Sequence, residues 1–131
     1  MSDEARLPDP TAAASRLPRG SGVILRHYAS SHRDTLANDL AQLCKRRGLA
    51  LFVGEDWRLA ARVGADGVHL PARALAAGLP AGARLWLRRR RARLTIAAHG
   101  ERDLRRAAAM HADAVLLSPV FRTTSHPDKP A

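Results

Sequence analysis

One sequence frame, Ala-Asp-x-Val-x-Leu, occurs twice in this chain. It is found as Ala65-Asp66-Gly67-Val68-His69-Leu70 and again as Ala112-Asp113-Ala114-Val115-Leu116-Leu117. Each copy follows a segment with helical periodicity and ends in a short apolar run. A run of this kind, without alternation of polar and apolar residues, is typical of a strand buried on both faces. We expect Asp66 and Asp113 to support the turn into each strand rather than to act in catalysis. The repeat therefore predicts helix–strand units that follow one another along the chain.

The same alternation extends outward from both copies. Strands are predicted at residues 23–25, 49–53, 67–70, 95–98 and 114–117, and helices at residues 34–47, 57–63 and 101–111. Gly48 and Gly64 are placed to end the first two of these helices. Residues 72–77 and 84–93 also have helical patterns, which Leu79-Pro80-Ala81-Gly82 separates. Strand and helix at this short spacing predict parallel strands joined by right-handed crossovers.

Arginine dominates the charge of the chain. The 131 residues carry a formal net charge of +10, yet only Lys45 and Lys129 are lysines. Arginine and alanine enriched together often reflect a GC-rich genome, so we attribute the charge mainly to composition and partly to attraction for phosphorylated small molecules. The aromatic residues do not interleave with the basic run Arg88-Arg89-Arg90-Arg91, as a base-stacking platform would require. Nucleic acid is therefore not expected as a partner.

Cysteine use and hydropathy predict the compartment. The single cysteine, Cys44, lies in a helical pattern and can form no internal disulfide, which suits a reducing environment. No apolar run is long enough to span a membrane, and the start Met1-Ser2-Asp3-Glu4 is acidic, without the apolar segment of a secretion signal. These features predict a cytoplasmic protein without a membrane partner.

Parallel strands place functional residues at their carboxyl ends, so the residues after each strand are the candidates. Arg26 follows the first strand, and its guanidinium can bind two phosphate oxygens at once. Glu55 and Asp56 follow the second strand as adjacent carboxylates of the kind that bind Mg²⁺, although Asp56 is also placed to cap the helix at Trp57. His69, in the third strand, is expected to be a packed residue rather than a ligand.

The fourth and fifth strands end in a histidine and in a run of hydroxyl groups. His99 is placed either to act as a general base or to bond the adjoining helix terminus. The loop after the fifth strand has hydroxyl and backbone donors that suit a phosphate, the alternative being a flexible polar tail. The sequence therefore predicts His99 as the catalytic residue, and as phosphate-binding residues Arg26, Ser118, Thr123, Thr124 and Ser125.

Three strings of the chain stand out: Gly64-Ala65-Asp66-Gly67-Val68-His69-Leu70, Ala98-His99-Gly100 and Ser118-Pro119-Val120-Phe121. Together they resemble motifs of the thiamine phosphate synthase and thiazole tautomerase family. The resemblance covers roughly residues 20–131, and it implies an α/β fold, namely an incomplete (β/α)₈ TIM barrel with about five parallel strands.

The resemblance implies a role in thiamine biosynthesis. A synthase of this family is a transferase that joins a hydroxymethylpyrimidine diphosphate to a thiazole phosphate and releases diphosphate with Mg²⁺. Its tautomerase relatives aromatise a thiazole carboxylate phosphate with a histidine that corresponds to His99. The expected ligand is thus a phosphorylated small molecule of the thiazole phosphate class. A catalytically silent phosphate binder or a gene remnant is the non-enzymatic alternative.

The chain departs from the family pattern where diphosphate and Mg²⁺ bind. In place of the family's Gln-x-Arg-x-Lys set, this chain has Ile24, Arg26 and Tyr28. In place of the family's Asn-Asp pair it has Gly54-Glu55, and in place of a Gly-Gln-Glu-Asp run it has Pro71-Ala72-Arg73-Ala74. His126 stands in place of a loop lysine. Because Ala74 and Gly54 stand at the positions where the resemblance implies metal ligands, no tight Mg²⁺ site formed by the protein alone is expected, and no cofactor is predicted for this chain. The thiazole phosphate half of the site is better retained than the synthase-specific half.

The resemblance also sets the expected organisation. Residues 1–22 are predicted to form a flexible arm with a short helix around residues 11–17, and residues 23–131 a partial barrel. A closed barrel normally takes at least about 200 residues, so the chain is expected to lack strands at both ends. Open sheet edges favour association. We therefore expect the isolated chain to form a homo-oligomer through its open sheet edges or to aggregate, and to have no synthase activity.

Overall fold

The computed structural model describes residues 1–2 and 4–121. The strands are β1 (Gly22–Leu25), β2 (Ala50–Gly54), β3 (Gly67–Leu70), β4 (Arg93–Ala98) and β5 (Ala114–Leu117). The helices are α1 (Pro10–Ala14), α2 (Arg33–Arg47), α3 (Trp57–Val63), α4 (Ala81–Arg90) and α5 (Glu101–Ala109), with a 3₁₀ turn at Ala72–Ala74. In this part of the chain, no helix combines the length and the apolarity that crossing a membrane requires.

The strands form one parallel sheet in the order in which they occur in the chain, β1-β2-β3-β4-β5. A helix connects each strand from β1 to β4 to the next strand. This sequential order is that of a TIM barrel, of which the described strands make a half-barrel. The predicted fold class and the prediction of five parallel strands are confirmed. All the carboxyl ends lie along one edge of the sheet, which places the candidate residues on the same side of the molecule.

The core lies between the sheet and its helices. Leu25, Leu51, Val68 and Ile96 of the strands belong to one buried cluster with Leu40, Leu59 and other helix residues. Successive side chains of a strand point to opposite faces. The residues that alternate with this cluster therefore face the concave side of the sheet, where Ile24, Phe52, His69 and Thr95 are also buried.

The aspartates of the repeated frame bind the start of β3 to β2 and the start of β5 to β4. The Asp66 carboxylate accepts a hydrogen bond from Leu51 N–H at 2.8 Å, and Asp66 N–H donates to the Leu51 carbonyl at 2.8 Å. In the second copy, Asp113 makes the same two bonds with Leu94, at 2.7 and 2.8 Å. We call each pair of bonds an aspartate latch. The predicted structural role of both residues is confirmed, and the sequence repeat is a repeat in three dimensions.

The residues before β1 contact the sheet. Ser2 N–H donates to the Ile24 carbonyl at 2.8 Å, and Ala14 of α1 lies in the core. One Glu4 carboxylate oxygen accepts hydrogen bonds from Ala29 N–H at 2.8 Å and from Ser30 N–H at 2.9 Å. The division into an arm of residues 1–22 and a partial barrel of residues 23–131 stays a prediction.

The connection from β3 to β4 differs from its prediction. The helix expected at residues 72–77 is a single 3₁₀ turn, Ala72–Ala74, and the next helix already begins at Ala81. Pro80 precedes this helix, a position that suits a residue without an N–H group. Arg91 adopts a left-handed conformation (φ 51°) after the helix. The chain then enters β4 at Arg93, whose N–H donates to the Asp66 carbonyl at 2.9 Å.

Strand β5 was predicted to be buried, and that prediction is wrong. Val115 is 37% exposed and Leu117 is 45% exposed. The apolar composition of a strand shows only that it can be buried, whereas its burial depends on what packs against it. Within residues 4–121, β5 pairs with β4 alone. It is therefore an edge strand in the described part of the chain.

Candidate functional site

His99 and Ser118 meet at the carboxyl ends of β4 and β5. His99 Nδ1 lies 2.5 Å from the Ser118 carbonyl oxygen, and Ser118 N–H donates to the Ala98 carbonyl at 3.0 Å. The His99 main-chain N–H donates to an Asp103 carboxylate oxygen at 2.9 Å, which ties the residue to the first turn of α5. The His99 side chain itself thus bonds the β5 loop, and the ring is exposed.

The bond to Ser118 determines the tautomer of His99. A carbonyl oxygen can only accept a hydrogen bond, so the proton of the neutral ring lies on Nδ1. Nε2 then carries the lone pair and is the nitrogen that can take a proton. The geometry makes His99 a suitable general base at the edge where parallel strands place their functional residues.

Arg26 and His27 follow β1 and are held by the N-terminal residues. Arg26 N–H donates to Ser2 Oγ at 2.9 Å, and His27 Nδ1 lies 2.9 Å from the same oxygen. A cavity of about 210 Å³ opens beside them, lined by Arg26, His27, Tyr28 and Ala29 together with Glu4 and Ala5. A predicted phosphate-binding residue therefore lines a cavity at the expected edge of the sheet.

His69 lies on the concave face and is buried, as predicted. Its Nδ1 is 3.0 Å from Thr95 Oγ1, across the β3–β4 pairing. Burial, with the nearby Arg26 charge as the next cause, lowers the pKa of His69 to about 4. The ring is consequently neutral near pH 7 and acts as a packed, hydrogen-bonded part of the concave face.

Glu55 and Asp56 follow β2 and are both engaged by other groups. The Asp56 carboxylate accepts from Leu59 N–H at 2.9 Å, which confirms its predicted role as the cap of α3. Asp56 Oδ2 also lies 3.9 Å from Arg33 Nη1. Glu55 Oε2 accepts from Arg73 Nη2 at 2.6 Å. Glu55 has a positive φ of 59°, a left-handed conformation that is uncommon for a residue with a side chain.

Two guanidinium groups lie near the ring of Tyr28. The Arg73 guanidinium carbon is 4.6 Å from the Tyr28 ring centroid, and that of Arg33 is 5.5 Å from it. Arg33 Nη2 donates to the Gly54 carbonyl at 2.5 Å. We call Tyr28, Arg33, Gly54, Glu55 and Arg73 the Tyr28 cluster. Burial raises the pKa of Tyr28, and the Glu55 charge adds to this rise while Arg73 and Arg26 oppose it.

Gly54 makes room for Tyr28. A Cβ atom at Gly54 would lie 2.8 Å from Tyr28 Cε1, 2.8 Å from Tyr28 Oη and 3.0 Å from the Leu25 carbonyl oxygen. These distances are shorter than ordinary van der Waals contact, so a side chain at this position requires Tyr28 to move. Tyr28 in this position therefore requires a glycine at position 54.

The structure brings together some of the predicted site residues. His99 and Ser118 are in direct contact, whereas Arg26 lies at the opposite end of the described sheet, after β1. Thr123, Thr124 and Ser125, as well as His126, lie outside the described residues, so their assignment stays a prediction.

A match to a known family accounts for this arrangement. The sequence model of the thiamine monophosphate synthase family matches residues 9–131, which is most of the chain. The match includes every described strand and every loop at their carboxyl ends. The chain belongs to the thiamine monophosphate synthase family.

Curated members of this family are similar over long segments. A thiamine-phosphate synthase of Thioalkalivibrio sulfidiphilus is 34% identical over 124 residues, which cover 91% of this chain and 57% of the relative. A thiamine-phosphate synthase of Lysinibacillus sphaericus is 33% identical over 97 residues, which cover 72% of this chain and 42% of the relative. The chain thus spans about half the length of these relatives.

A solved structure agrees with the fold. A thiamine phosphate pyrophosphorylase from Pyrococcus furiosus superposes with a TM-score of 0.60 at 17% identity, over 90% of this chain and 56% of that protein. At this low identity the similarity concerns the fold alone. It supports the interpretation of the five-stranded sheet as part of a TIM barrel.

The Mg²⁺ ion implied by the thiamine monophosphate synthase family does not fit the residues present. Among the described residues, no group of three or more His, Cys, Asp and Glu side chains could hold a metal ion. The Glu55 carboxylate is bound by Arg73, and that of Asp56 caps α3. Position 74, where the family has a metal-binding aspartate, is an alanine. The expectation that the protein alone forms no tight Mg²⁺ site stays a prediction.

Sequence reasoning missed the contacts within the Tyr28 cluster. It identified Tyr28, Gly54 and Arg73 separately, as departures from the family pattern, and it assigned no role to Arg33. One signal was present, because Tyr28, Gly54 and Arg73 lie in or just after β1, β2 and β3, whose carboxyl ends are adjacent, whereas Arg33 begins α2. Replaced residues at adjacent strand ends are expected to contact one another.

Proposed function

We propose that this chain acts in thiamine biosynthesis by binding a thiazole phosphate and that His99 is its proton-transfer group. The observation that supports this most directly is the hydrogen bond from His99 Nδ1–H to the Ser118 carbonyl. It leaves Nε2 as a base on the edge of the sheet where Ser118, a proposed phosphate ligand, also lies. A base and a phosphate loop side by side suit proton transfer on a small phosphorylated ring.

The proposed chemistry is a tautomerisation. His99 Nε2 accepts a proton from one position of the thiazole ring, and the resulting imidazolium returns a proton to another, so that the ring becomes aromatic. The step moves protons only and requires no electron acceptor. Within the family this is the tautomerase type of reaction. It depends less than the synthase reaction does on the diphosphate and Mg²⁺ contacts that are replaced in this chain.

The synthase reaction is the other activity that the family implies. In the family it uses Mg²⁺, for which the described residues of this chain offer no group of three or more ligands. We therefore propose that this chain acts on a thiazole phosphate and does not carry out the synthase reaction. Against the alternative of a gene remnant, the replaced residues make complementary contacts, such as Arg73 with Glu55 and Tyr28 with Gly54. Unselected substitutions would not be expected to fit one another in this way.

The test is the conversion of a thiazole carboxylate phosphate tautomer to its aromatic form, followed by NMR. His99→Ala is expected to lower the rate by about 10²–10⁴-fold, the usual contribution of a positioned acid–base group. The matched control is His32→Ala, because His32 is exposed and its side chain makes no capping bond at α2. Equal rates for His99→Ala and the unaltered chain would refute the role of His99. Absence of calorimetric binding of thiazole phosphate to the unaltered chain would refute the proposed ligand.

A further inference from the structure

A cavity lies at the amino-terminal edge of the sheet, on the side of the molecule opposite to His99. It has a volume of about 360 Å³ and is bordered by α4 and by the end of α5. Arg91 and Asp113, which line it, precede β4 and β5, whereas His99 follows β4. A volume of this size is within the range of small-molecule sites. The proposed function uses none of the residues that line this cavity.

The inner lining of this cavity is apolar. Leu94 is buried in the core, and the other apolar side chains of the lining are partly buried against the same core, namely Leu79, Leu87 and Met110. Asp113 adds one carboxylate, but that group already accepts the hydrogen bond from Leu94 N–H in its aspartate latch. The cavity therefore suits a ligand with an apolar body, which would gain free energy by leaving water.

Three arginines add positive charge to this apolar lining. Arg84 and Arg88 are four residues apart on α4 and so lie on one face of the helix, and Arg91 follows the helix. All three are exposed, and within the described residues none of them forms an ion pair. Arg88 and Arg91 belong to the run of four arginines, whose other members, Arg89 and Arg90, do not line the cavity. Half of this run thus contributes its charge to the cavity.

Both helices that border the cavity are followed by a left-handed residue that is not glycine. Helices α2 and α3 end at Gly48 and Gly64, each with a φ of 67°. The left-handed residues after α4 and α5 are Arg91, with a φ of 51°, and His111, with a φ of 54°. Glycine adopts this conformation at a lower cost than a residue with a side chain. Because both side chains line the cavity, a role in binding would account for their presence at these two positions.

We infer that this cavity binds a small molecule with an apolar body and a carboxylate head. The apolar lining takes the body, and Arg84, Arg88 and Arg91 pair with the carboxylate, which a planar guanidinium can bind through two parallel hydrogen bonds. A cationic ligand would be repelled by the three charges. The inference does not rest on the proposed function, because the cavity and His99 lie at opposite edges of the sheet.

The experiment titrates octanoate into the full chain by calorimetry, with 1-octanol and acetate as probes for the body and the head alone. We expect octanoate to bind about tenfold more tightly than either probe, or better. The double variant Arg84→Gln/Arg88→Gln is expected to weaken octanoate binding by about tenfold or more, since charge-assisted hydrogen bonds are lost. The matched control, Arg89→Gln/Arg90→Gln, removes two charges from the same helix outside the cavity and is expected to leave the affinity unchanged.

Arg91→Gly separates binding from folding. Glycine suits the left-handed backbone at this position, so the melting temperature measured by circular dichroism should stay the same or rise. The affinity for octanoate should nevertheless fall by about threefold or more, because one guanidinium is lost. Unchanged affinity in this variant would contradict the role of Arg91 in the cavity.

A photoreactive octanoate that carries a diazirine locates the site. Mass spectrometry of the crosslinked chain is expected to find the label within residues 84–94 and 110–113. The inference would be overturned by any of four results: no binding of octanoate to the unaltered chain, equally tight binding of 1-octanol or acetate, equal affinities of the two double variants, or crosslinks confined to the exposed residues of β5 and the loop after it.

Discussion

Protonation of His69 is opposed by the concave face that surrounds it. The pKa falls from an ordinary value of 6.5 to about 4, first because the ring is buried and next because of the Arg26 charge. The unfolded chain therefore binds more protons than the folded chain between these two values. Since stability rises with pH wherever the unfolded state binds more protons, the contribution of His69 is complete above pH 6.5 and is lost as the pH falls to about 4.

We predict that the free energy of unfolding in urea falls between neutral pH and about pH 4, by up to about 3 kcal/mol from His69. His69→Gln, an uncharged residue of similar polarity, should flatten the pH dependence across this window. The exposed His32 provides the control variant His32→Gln, which should keep the slope of the unaltered chain. Parallel pH profiles for the unaltered chain and His69→Gln would contradict the prediction.

Single residues were predictable where the constraint was local. The cap at Asp56 and the ends of α2 and α3 at Gly48 and Gly64 follow from neighbouring positions, and the structure confirms them. The Tyr28 cluster was not predictable in the same way. Arg73 and Glu55 are 18 residues apart, and their contact depends on which strands are neighbours and on side-chain conformations that no local pattern encodes.

Among the elements, the aspartate latches explain why the repeated frame marks the strands so well. Each latch satisfies two main-chain groups of the preceding strand with one residue, through its carboxylate and its N–H. The frame therefore specifies both the start of a strand and its register with the strand before it. By contrast, residues 72–77 have a helical composition but no latch and no cap, and only a 3₁₀ turn forms.

We predict that Asp113→Ala lowers the free energy of unfolding by about 1–3 kcal/mol, because Leu94 N–H loses its acceptor. Asp66→Ala should have a similar effect at Leu51. Asp39 lies exposed on α2, and Asp39→Ala is the control expected to change little. Denaturant titrations measure all three variants. A loss at Asp39 equal to that at Asp113 would show that the charge, and not the latch, determines the effect.

For the molecule as a whole, the exposed apolar side chains among the described residues are concentrated on the β5 side. Val115 and Leu117 of the strand are 37% and 45% exposed, and Val120 and Phe121 after it are 59% and 81% exposed. Exposed apolar strands at the edge of a sheet favour association with another chain. The expectation of a homo-oligomer thus stays a prediction, now with named residues.

We predict that the 131-residue chain self-associates in sedimentation velocity and that the double variant Val115→Lys/Leu117→Lys reduces this association, because charged side chains on an edge oppose strand pairing. Leu85→Lys is the matched control, since Leu85 is 47% exposed but lies on α4. It is expected to leave the association unchanged. A monomeric unaltered chain, or equal association in the double variant, would contradict the role of β5.

The aspartate latches also bear on how the sheet is reached from the unfolded chain. They join residues 15 and 19 positions apart, and every described strand pairs with its neighbour in sequence. Loops this short close at a small entropic cost, and a low contact order accompanies fast folding. Each helix–strand unit can dock on the unit before it without waiting for a distant segment. The half-barrel can therefore grow by nearest-neighbour steps, in the way that repeat proteins fold.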